Sequence, residues 1–150
     1  MKAPLHDVVT VYTDGGCDPN PGRGGWGAVL IYRERIRELS GHEDVTTNNR
    51  MELTAAVKAL ETLRRSCRVA LHTDSQYLQK GITDWMPKWK RNGWRTRTGA
   101  VKNQDLWQRL DELAALHDIA WHWVKGHAGN TFNERCDELV REARLRASTE

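Results

Sequence analysis

Four acidic side chains in separate segments of the chain have the types and settings of metal ligands. Two of them end short β-branched runs, and two lie near the start of helical patterns. Carboxylates that converge at one edge of a sheet repel one another unless a cation lies between them. Oxygen ligands of this kind suit hard divalent ions and metal-assisted phosphoryl transfer. The candidates are Asp14 in TVYTDGG, Glu52 in NNRMELTAA, Asp74 in LHTDSQ and Asp137 in NERCDEL.

Each of these carboxylates also has an ordinary structural interpretation. Asp14 precedes two glycines, and Asp-Gly pairs commonly close hairpins. Asp74 could cap the helix that follows it, and Glu52 could complete a capping box with Asn49. Asp137 could be a solvated group on a charged helix face. Taken one at a time, these alternatives stay open, and the functional interpretation depends on the combination.

The elements that would position the carboxylates alternate between strand and helix patterns. β-branched and apolar runs predict strands over residues 8–14, 25–32, 34–41, 69–74 and 119–124. Helical spacing of apolar residues predicts helices over residues 46–65, 75–84, 104–116 and 132–147. This order favours an α/β fold, in which helices cover both faces of a mixed sheet. If the strands ending at Asp14 and Asp74 are parallel and adjacent, both carboxylates lie at one sheet edge.

Length and charge suggest one domain with a nucleic-acid-binding segment. The 150 residues fit a single domain over residues 1–150. The net charge is only +3, but residues 85–102 contain six basic and no acidic side chains, which leaves −3 on the remainder. Tryptophans interleave with these basic residues, as is typical of a phosphate-binding surface. A solvated charge run is the alternative interpretation.

Cysteine usage and apolar patterning indicate the compartment. The three cysteines, at positions 17, 67 and 136, form no C-x-x-C pair. A disulfide framework or a zinc site is therefore not expected, and a reducing compartment fits. The N-terminus does not resemble a signal peptide, and no window approaches the roughly 18 apolar residues of a membrane span. We expect a cytoplasmic protein with no membrane contact.

Longer motifs resemble one family over nearly the whole chain. They are YTDGGCDPNPG, TTNNRMELTAA, HTDSQY, the Trp/Lys/Arg segment followed by VKNQDLWQRL, and WHWVKGHAGNTFNERCDELVREA. Their order and spacing are similar to those of bacterial-type ribonuclease HI. The resemblance implies the ribonuclease H-like fold, a mixed five-stranded sheet flanked by helices, with a basic protrusion at about residues 85–102. It also implies endonucleolytic hydrolysis of the RNA strand of RNA–DNA hybrids, leaving 5′-phosphate and 3′-hydroxyl ends.

The same resemblance implies the catalytic roles. The four carboxylates would hold two divalent ions, Mg²⁺ in the cell, for a two-metal-ion hydrolysis. Mn²⁺ should substitute, because it also accepts oxygen ligands in octahedral geometry. His127, in the loop KGHAGN, would move a proton or assist product release. An exposed loop histidine without a role is the alternative.

The resemblance further implies which residues contact the RNA–DNA hybrid. Amide side chains both donate and accept hydrogen bonds, which suits 2′-hydroxyl groups and the minor groove. Turn formation at Asn20 and helix capping at Asn48 and Asn49 are the alternatives. The residues expected to contact the minor groove or 2′-hydroxyls are Cys17, Asn20, Asn48, Asn49 and Gln76.

A second group of contacts is expected at the DNA strand and in the basic protrusion. It consists of Thr47, Trp85, Trp89, Lys90, Arg91 and Trp94. Thr47 and Trp89 match a pocket for a phosphate of the DNA strand. Trp85 is expected to be mainly structural, and core packing is the alternative for all three tryptophans. The stretch RTGA at residues 97–100 is less lysine-rich than the family's pattern, which leaves the affinity of the protrusion open.

Three other classes of protein compete with this interpretation. A resolvase or DNA-strand nuclease of the same fold would not need Cys17, Asn20 and Gln76 as 2′-hydroxyl contacts. A non-catalytic nucleic-acid-binding module would not need four carboxylates together with His127. A phosphatase acting on small substrates would leave the basic, tryptophan-bearing segment without a role. We therefore expect a hybrid-specific endonuclease, and a monomer.

Overall fold

The structure of the protein is a computed structural model that describes residues 8–125 and 130–149. The strands are β1 (Val8–Cys17), β2 (Gly22–Tyr32), β3 (Arg35–Thr46), β4 (Arg68–Thr73), β5 (Arg95–Thr96), β6 (Gly99–Ala100) and β7 (Asp118–Trp123). In this part of the chain the main sheet has five strands in the order β3-β2-β1-β4-β7. Strands β1 to β3 form an antiparallel meander, and β4 and β7 continue parallel to β1. The predicted α/β fold with a mixed sheet is confirmed.

The helices follow the predicted order. They are α1 (Asn48–Glu61), α2 (Gln76–Lys80), α3 (Met86–Arg91), α4 (Gln104–Leu116) and α5 (Thr131–Thr149). A π-helical turn over Gly81–Trp85 joins α2 to α3. None of the helices within residues 8–125 and 130–149 has the length and apolar character needed to cross a membrane.

Two apolar layers fix the helices on the sheet. Helices α1 and α4 pack on one face, and α5 packs on the other over β1, β2 and β3. The first layer includes the buried residues Val11, Leu53, Leu60, Leu71, Trp107 and Leu110, and the second includes Val29, Cys136 and Leu139. Full burial of an aliphatic side chain stabilises the fold by roughly 2 kcal/mol. These two layers therefore fix the main sheet between helices on both of its faces.

Glycines in β2 allow α5 to approach the sheet closely. A Cβ atom on Gly27 would lie 2.7 Å from the Cβ of Leu139, and one on Gly25 would lie 2.7 Å from the carbonyl oxygen of Val140. Gly27 is the strand partner of Asp14. The sequence pattern predicts a strand only from Gly25 onward, whereas β2 begins at Gly22. The glycines of this strand set the distance between α5 and the strand pair that holds Asp14.

Several element boundaries differ from the predictions, and three of the differences have a clear physical reason. Strand β1 continues past Asp14 to Cys17, because residues 14–17 stay paired with β2. Strand β3 likewise continues past residue 41 to Thr46, still paired with β2 at its far end. The helix predicted over residues 75–84 continues through the π-helical turn into α3. Pro87 does not interrupt this run, because it lies in the first turn of α3, where no backbone N–H donor is needed.

Candidate active site

The four predicted carboxylates line one cleft of about 460 Å³. Asp14 and Asp74 lie near the carboxyl ends of the parallel neighbours β1 and β4. Glu52 lies in the second turn of α1, and Asp137 lies on α5. Four segments that are distant in sequence therefore meet at one edge of the sheet, as the residue pattern predicts.

Burial and mutual repulsion shape the electrostatics of the cleft. Burial, together with the charge of Asp74 and smaller effects of Asp137 and Glu52, raises the pKa of Asp14 from 3.8 to about 7. Burial also raises the pKa of Glu52, with a contribution from Asp74, against a hydrogen bond from Ser75 that lowers it. The carboxylates are close enough to disfavour one another's charge, and a divalent cation would relieve that repulsion.

The ordinary structural interpretations of three of the carboxylates are wrong. Asp14 is paired with Gly27 inside a strand and does not lie in a hairpin turn. The cap of α2 is Ser75, so Asp74 is not the capping residue. The cap of α1 is Thr47, whose Oγ1 accepts a hydrogen bond of 3.1 Å from Arg50 N.

Asp137 combines a place in the cleft with a partner on its own helix. Its side chain lines the cleft and lies 3.6 Å from the Arg141 guanidinium one turn later. The interpretation of Asp137 as only a solvated surface group does not account for its position opposite Asp14. Arg141 and Arg144 also line the cleft, which places two cations beside the four carboxylates.

A glycine and a serine position Glu52. A Cβ atom on Gly15 would lie 2.3 Å from the carbonyl carbon of Met51 and 2.7 Å from Glu52 N. The first turns of α1 therefore rest directly on the backbone of β1. The buried Ser75 donates a hydrogen bond to Glu52 Oε2, and its Oγ accepts one of 3.0 Å from Leu78 N. Sequence reasoning missed Ser75 as a site residue, although a hydroxyl directly after a candidate ligand was a signal.

Three of the predicted hybrid contacts meet at the rim of the cleft. Asn48 Oδ1 accepts a hydrogen bond of 2.6 Å from Cys17 N, and Asn48 N donates one of 3.1 Å to Asn20 Oδ1. The interpretation of Asn48 and Asn49 as helix caps is wrong, because Thr47 has that role. Asn49 and Gln76 are exposed in the first turns of α1 and α2, where they are accessible to a ligand.

The predicted DNA-side tryptophans form one aromatic cluster. The ring centroids of Trp85 and Trp89 are 5.9 Å apart, those of Trp89 and Trp94 are 6.1 Å apart, and those of Trp89 and the fully buried Trp107 are 5.5 Å apart. Each of the three outer rings packs on the core and keeps part of its surface exposed. Packing and ligand contact are therefore compatible at this cluster.

The basic residues next to these rings differ in their surroundings. Both Lys90 and Arg91 are exposed, but Lys90 is paired with Asp111 of α4 at 3.2 Å. His127 lies in residues 126–129, outside the described part of the chain. Its predicted role therefore stays a prediction.

The sheet order and the position of the cleft define a ribonuclease H-like α/β fold. The sequence model of the RNase H family matches residues 6–144. Ribonuclease H of Halorhodospira halophila is 62% identical over 136 residues, covering 90% of this chain and 91% of that protein. Ribonuclease H of Nitrosococcus oceani is 60% identical over 140 residues, covering 93% and 95%. The chain belongs to the ribonuclease H family of endoribonucleases, and its relationship is to the ribonuclease HI type.

Solved structures agree with this assignment. LC9-RNase H1, a type 1 RNase H with the type 2 active-site motif, has a TM-score of 0.85 at 31% identity, covering 97% of this chain and 75% of that chain. LC11-RNase H1, solved in complex with an RNA/DNA hybrid, has a TM-score of 0.73 at 23% identity, covering 93% and 99%. At that identity the second likeness shows the shared fold.

Proposed function

We propose that the protein hydrolyses the RNA strand of RNA–DNA hybrids at the carboxylate cleft, leaving 5′-phosphate and 3′-hydroxyl ends. The observation that carries this proposal is the convergence of four carboxylates in one cleft, with the pKa of Asp14 raised to about 7. Family membership supports the reaction class. The complex of LC11-RNase H1, which shares the fold, with an RNA/DNA hybrid supports the substrate.

The donor chemistry of the cleft fits two divalent ions, Mg²⁺ in the cell, with Mn²⁺ as a substitute. Asp14, Glu52, Asp74 and Asp137 offer only oxygen ligands, which hard cations prefer. Within the described residues no three His, Cys, Asp or Glu side chains form a complete metal site. Mg²⁺ commonly keeps several waters and binds through one or two carboxylates and substrate phosphates, so an open cleft suits it. When bound, two ions would supply a more acidic water and stabilise the leaving oxygen.

The rim of the cleft would orient the RNA strand. Asn48 and Asn20 use their side-chain oxygens to accept hydrogen bonds within the protein. This leaves their Nδ2 groups as donors of fixed position, and a donor of this kind can bind a 2′-hydroxyl or a base edge in the minor groove. Because a DNA strand lacks 2′-hydroxyls, such contacts would favour RNA at this side of the cleft.

The aromatic cluster and the basic segment would hold the DNA strand. Partly exposed Trp89 can stack against a deoxyribose, and exposed arginines and lysines of residues 85–102 can bind phosphates. The side chain of Lys90 must leave Asp111 to contribute, so Arg91 is the better placed of the two. Binding is expected to weaken as salt is raised, because each phosphate contact releases counterions.

The direct test is cleavage of a hybrid labelled on its RNA strand, with and without Mg²⁺. Matched RNA duplex, DNA duplex and single-stranded RNA serve as controls. Metal-dependent cuts confined to the RNA of the hybrid, with 5′-phosphate ends, are the expected result. Cuts in the DNA controls would favour a resolvase-like enzyme, and tight hybrid binding without any cleavage would favour a binding module.

His127→Ala is expected to slow turnover and to leave hybrid binding unchanged. A histidine at this position would transfer a proton or assist product release, whereas the rim of the cleft and the basic segment would provide the affinity for the hybrid. Single-turnover cleavage and equilibrium binding of the hybrid measure the two effects separately. Unchanged turnover would remove His127 from the mechanism.

Ser75→Ala is expected to raise the Mg²⁺ concentration needed for half-maximal cleavage about tenfold, because outer-shell partners orient metal ligands. The variant also loses the cap of α2, which lowers the free energy of unfolding by about 1 kcal/mol. A Mg²⁺ titration of cleavage, together with thermal unfolding, separates the two roles.

Ser66→Ala is the matched control for this variant. It also removes one hydroxyl that makes a hydrogen bond, here of 2.6 Å to the carbonyl oxygen of Leu116, and Ser66 does not line the carboxylate cleft. A Ser75→Ala enzyme that loses stability but keeps its Mg²⁺ requirement would show that Ser75 acts only as a cap.

A further inference from the structure

The carboxylate cleft has a basic end to which the metal chemistry assigns no role. The charged side chains of α5 that line the cleft recur at helical spacing, so they form one stripe along the helix. The stripe runs from Glu134 and Asp137 to Arg141 and Arg144, and its charge changes sign along the helix. Arg144 follows Asp137 by seven positions, which corresponds to about 10 Å of helix. It therefore lies in the same cleft as the carboxylates but at a distance from them.

The stem of Arg144 is held against the sheet. A Cβ atom on Gly25 of β2 would lie 3.3 Å from Arg144 Cγ, and Gly25 is the strand partner of Gly16 at the end of β1. Burial raises the pKa of the Cys17 thiol, and the positive charge of Arg144 acts in the opposite direction. The guanidinium group is thus close to Cys17, one of the residues at the rim of the cleft.

The guanidinium group of Arg144 lacks a full set of protein partners. Its Nη1 lies 3.8 Å from Asp18 Oδ2, which is beyond hydrogen-bond distance. The side chain of Asp18 is 82% exposed, and an exposed ion pair contributes little to stability. Within the part of the chain that the structure describes, Arg144 Nε is buried and makes no hydrogen bond. By contrast, Arg135 of the same helix donates hydrogen bonds of 2.6 and 3.0 Å to Glu38. Because a buried donor without an acceptor is unfavourable, packing alone does not account for an arginine at position 144.

We infer that Arg144 binds a non-scissile phosphate of the RNA strand and so fixes the path of that strand through the cleft. This inference rests on the proposed function. A guanidinium group can bind a phosphate through two parallel hydrogen bonds, and Arg144 would exchange its long contact with Asp18 for them. Phosphates follow one another at about 3.4 Å of helix rise per nucleotide. A group about 10 Å along the helix from Asp137 therefore faces a phosphate other than the one that is hydrolysed.

The other residues of the cleft indicate which strand is bound. Cys17 and Asn48, which are expected at the 2′-hydroxyl groups, line the same cleft as Arg144, whereas none of residues 85–102, expected at the DNA strand, lines it. The lining contains six acidic and two basic side chains, and Arg141 already lies next to Asp137. The carboxylates would repel an RNA phosphate that lies away from bound cations, so a positive charge from the protein favours binding there.

Single-turnover cleavage of the hybrid at increasing enzyme concentrations tests the inference, because it gives the half-saturating concentration and the maximal rate separately. Arg144→Gln, which keeps most of the stem and removes the charge, is expected to raise the half-saturating concentration about tenfold. The maximal rate should be nearly unchanged. The salt dependence of binding should also weaken by the equivalent of about one phosphate contact. Arg144→Lys should restore part of the affinity, because it keeps the charge without the fork geometry.

Arg146→Gln is the matched control. It removes one positive charge from the same helix, but Arg146 does not line the cleft and instead donates a hydrogen bond of 2.9 Å to Ser40 Oγ. This variant should cleave the hybrid with the half-saturating concentration of the wild type. A loss of affinity equal to that of Arg144→Gln would show an effect of net charge and would overturn the inference.

Neutral phosphate analogues separate phosphate binding from a structural role of Arg144. A series of hybrids carries one methylphosphonate at successive positions of the RNA strand or of the DNA strand. At one non-scissile position of the RNA strand, the substitution should weaken binding to the wild type about tenfold and should have no further effect on Arg144→Gln. A structural role would instead lower the affinity for all hybrids alike.

The inference is overturned if Arg144→Gln has the affinity of the wild type, or if each methylphosphonate affects the two enzymes equally. It is also overturned if the position that depends on Arg144 lies in the DNA strand. A wild type that does not cleave the hybrid would overturn the proposed function together with this inference. Wild-type cleavage that does not depend on Arg144 would overturn this inference alone.

Discussion

Asp14→Asn is expected to abolish hydrolysis and, in metal-free buffer near neutral pH, to raise the midpoint of thermal unfolding. The loss of activity follows because the variant removes one of four carboxylates that would hold the cations. A loss of at least about 1,000-fold corresponds to roughly 4 kcal/mol of transition-state stabilisation. The gain in stability follows because the charge of Asp14 is unfavourable in the folded protein.

The sign of the stability effect follows from proton binding. Burial and the charges of Asp74, Asp137 and Glu52 raise the pKa of folded Asp14 to about 7, against an ordinary value of 3.8. Between these values the folded state holds the proton more tightly than the unfolded state, so stability falls as pH rises from about 4 to 7. Above pH 7 the unfavourable term is fully present, and it is about 2 to 4 kcal/mol. Asn at this position removes it.

Thermal unfolding with EDTA at several pH values measures this effect. The difference between Asp14→Asn and wild type should be large at pH 8 and should vanish near pH 4. Added Mg²⁺ should stabilise the wild type, because a ligand that binds only the folded state raises its stability. The difference in unfolding midpoint between Asp14→Asn and the wild type should therefore become smaller. Asp84→Asn, at an exposed carboxylate, is the control. A difference independent of pH would show that repulsion in the cleft is not its cause.

Much of this fold can be predicted from the sequence, because the spacing of apolar residues that defines a helix or a strand involves only residues close together in the chain. The bounds of α4, Gln104–Leu116, agree with the helical spacing of Leu106, Trp107, Leu110 and Leu113. The convergence of the four carboxylates in one cleft is predicted by the combination of their motifs, because each motif alone also has an ordinary structural interpretation. The cap of α1 was misplaced, because Thr47, Asn48 and Asn49 are all plausible caps, and only the fold of the preceding strand selects Thr47.

Contacts between distant segments could not be predicted in this way. Residues 85–102 were identified as basic because their charges are contiguous. A second cavity was not identified, because Arg35 and Arg37 of β3 line it together with Arg64 and Arg65, which follow α1 in a separate segment of the chain. The ion pair of Lys90 with Asp111 joins residues 21 positions apart and changes which charges are free to bind phosphate. Such pairings depend on how helices pack, and periodicity carries no information about that.

The close approach of Gly15 in β1 to the backbone of α1 is a further contact between distant segments, and it has a large expected effect on stability. Gly15→Ala is expected to destabilise the protein by about 3 kcal/mol, because the new Cβ overlaps backbone atoms that have no rotamer with which to move away. The overlapping atoms belong to Met51 and Glu52, at 2.3 to 2.7 Å. Relief of the overlap requires the first turns of α1 to shift away from β1.

Such a shift would move Glu52 relative to Asp14, so turnover should fall by more than the loss of folded protein explains. A displacement of about 1 Å at a catalytic group can reduce turnover about 100-fold. Cleavage measured well below the unfolding midpoint isolates this effect. Gly16→Ala is the control for stability, because its Cβ would meet only Asn48 Oδ1 at an ordinary 3.6 Å. Full turnover by folded Gly15→Ala would show that the cleft tolerates a displaced Glu52, and that Gly15 serves packing alone.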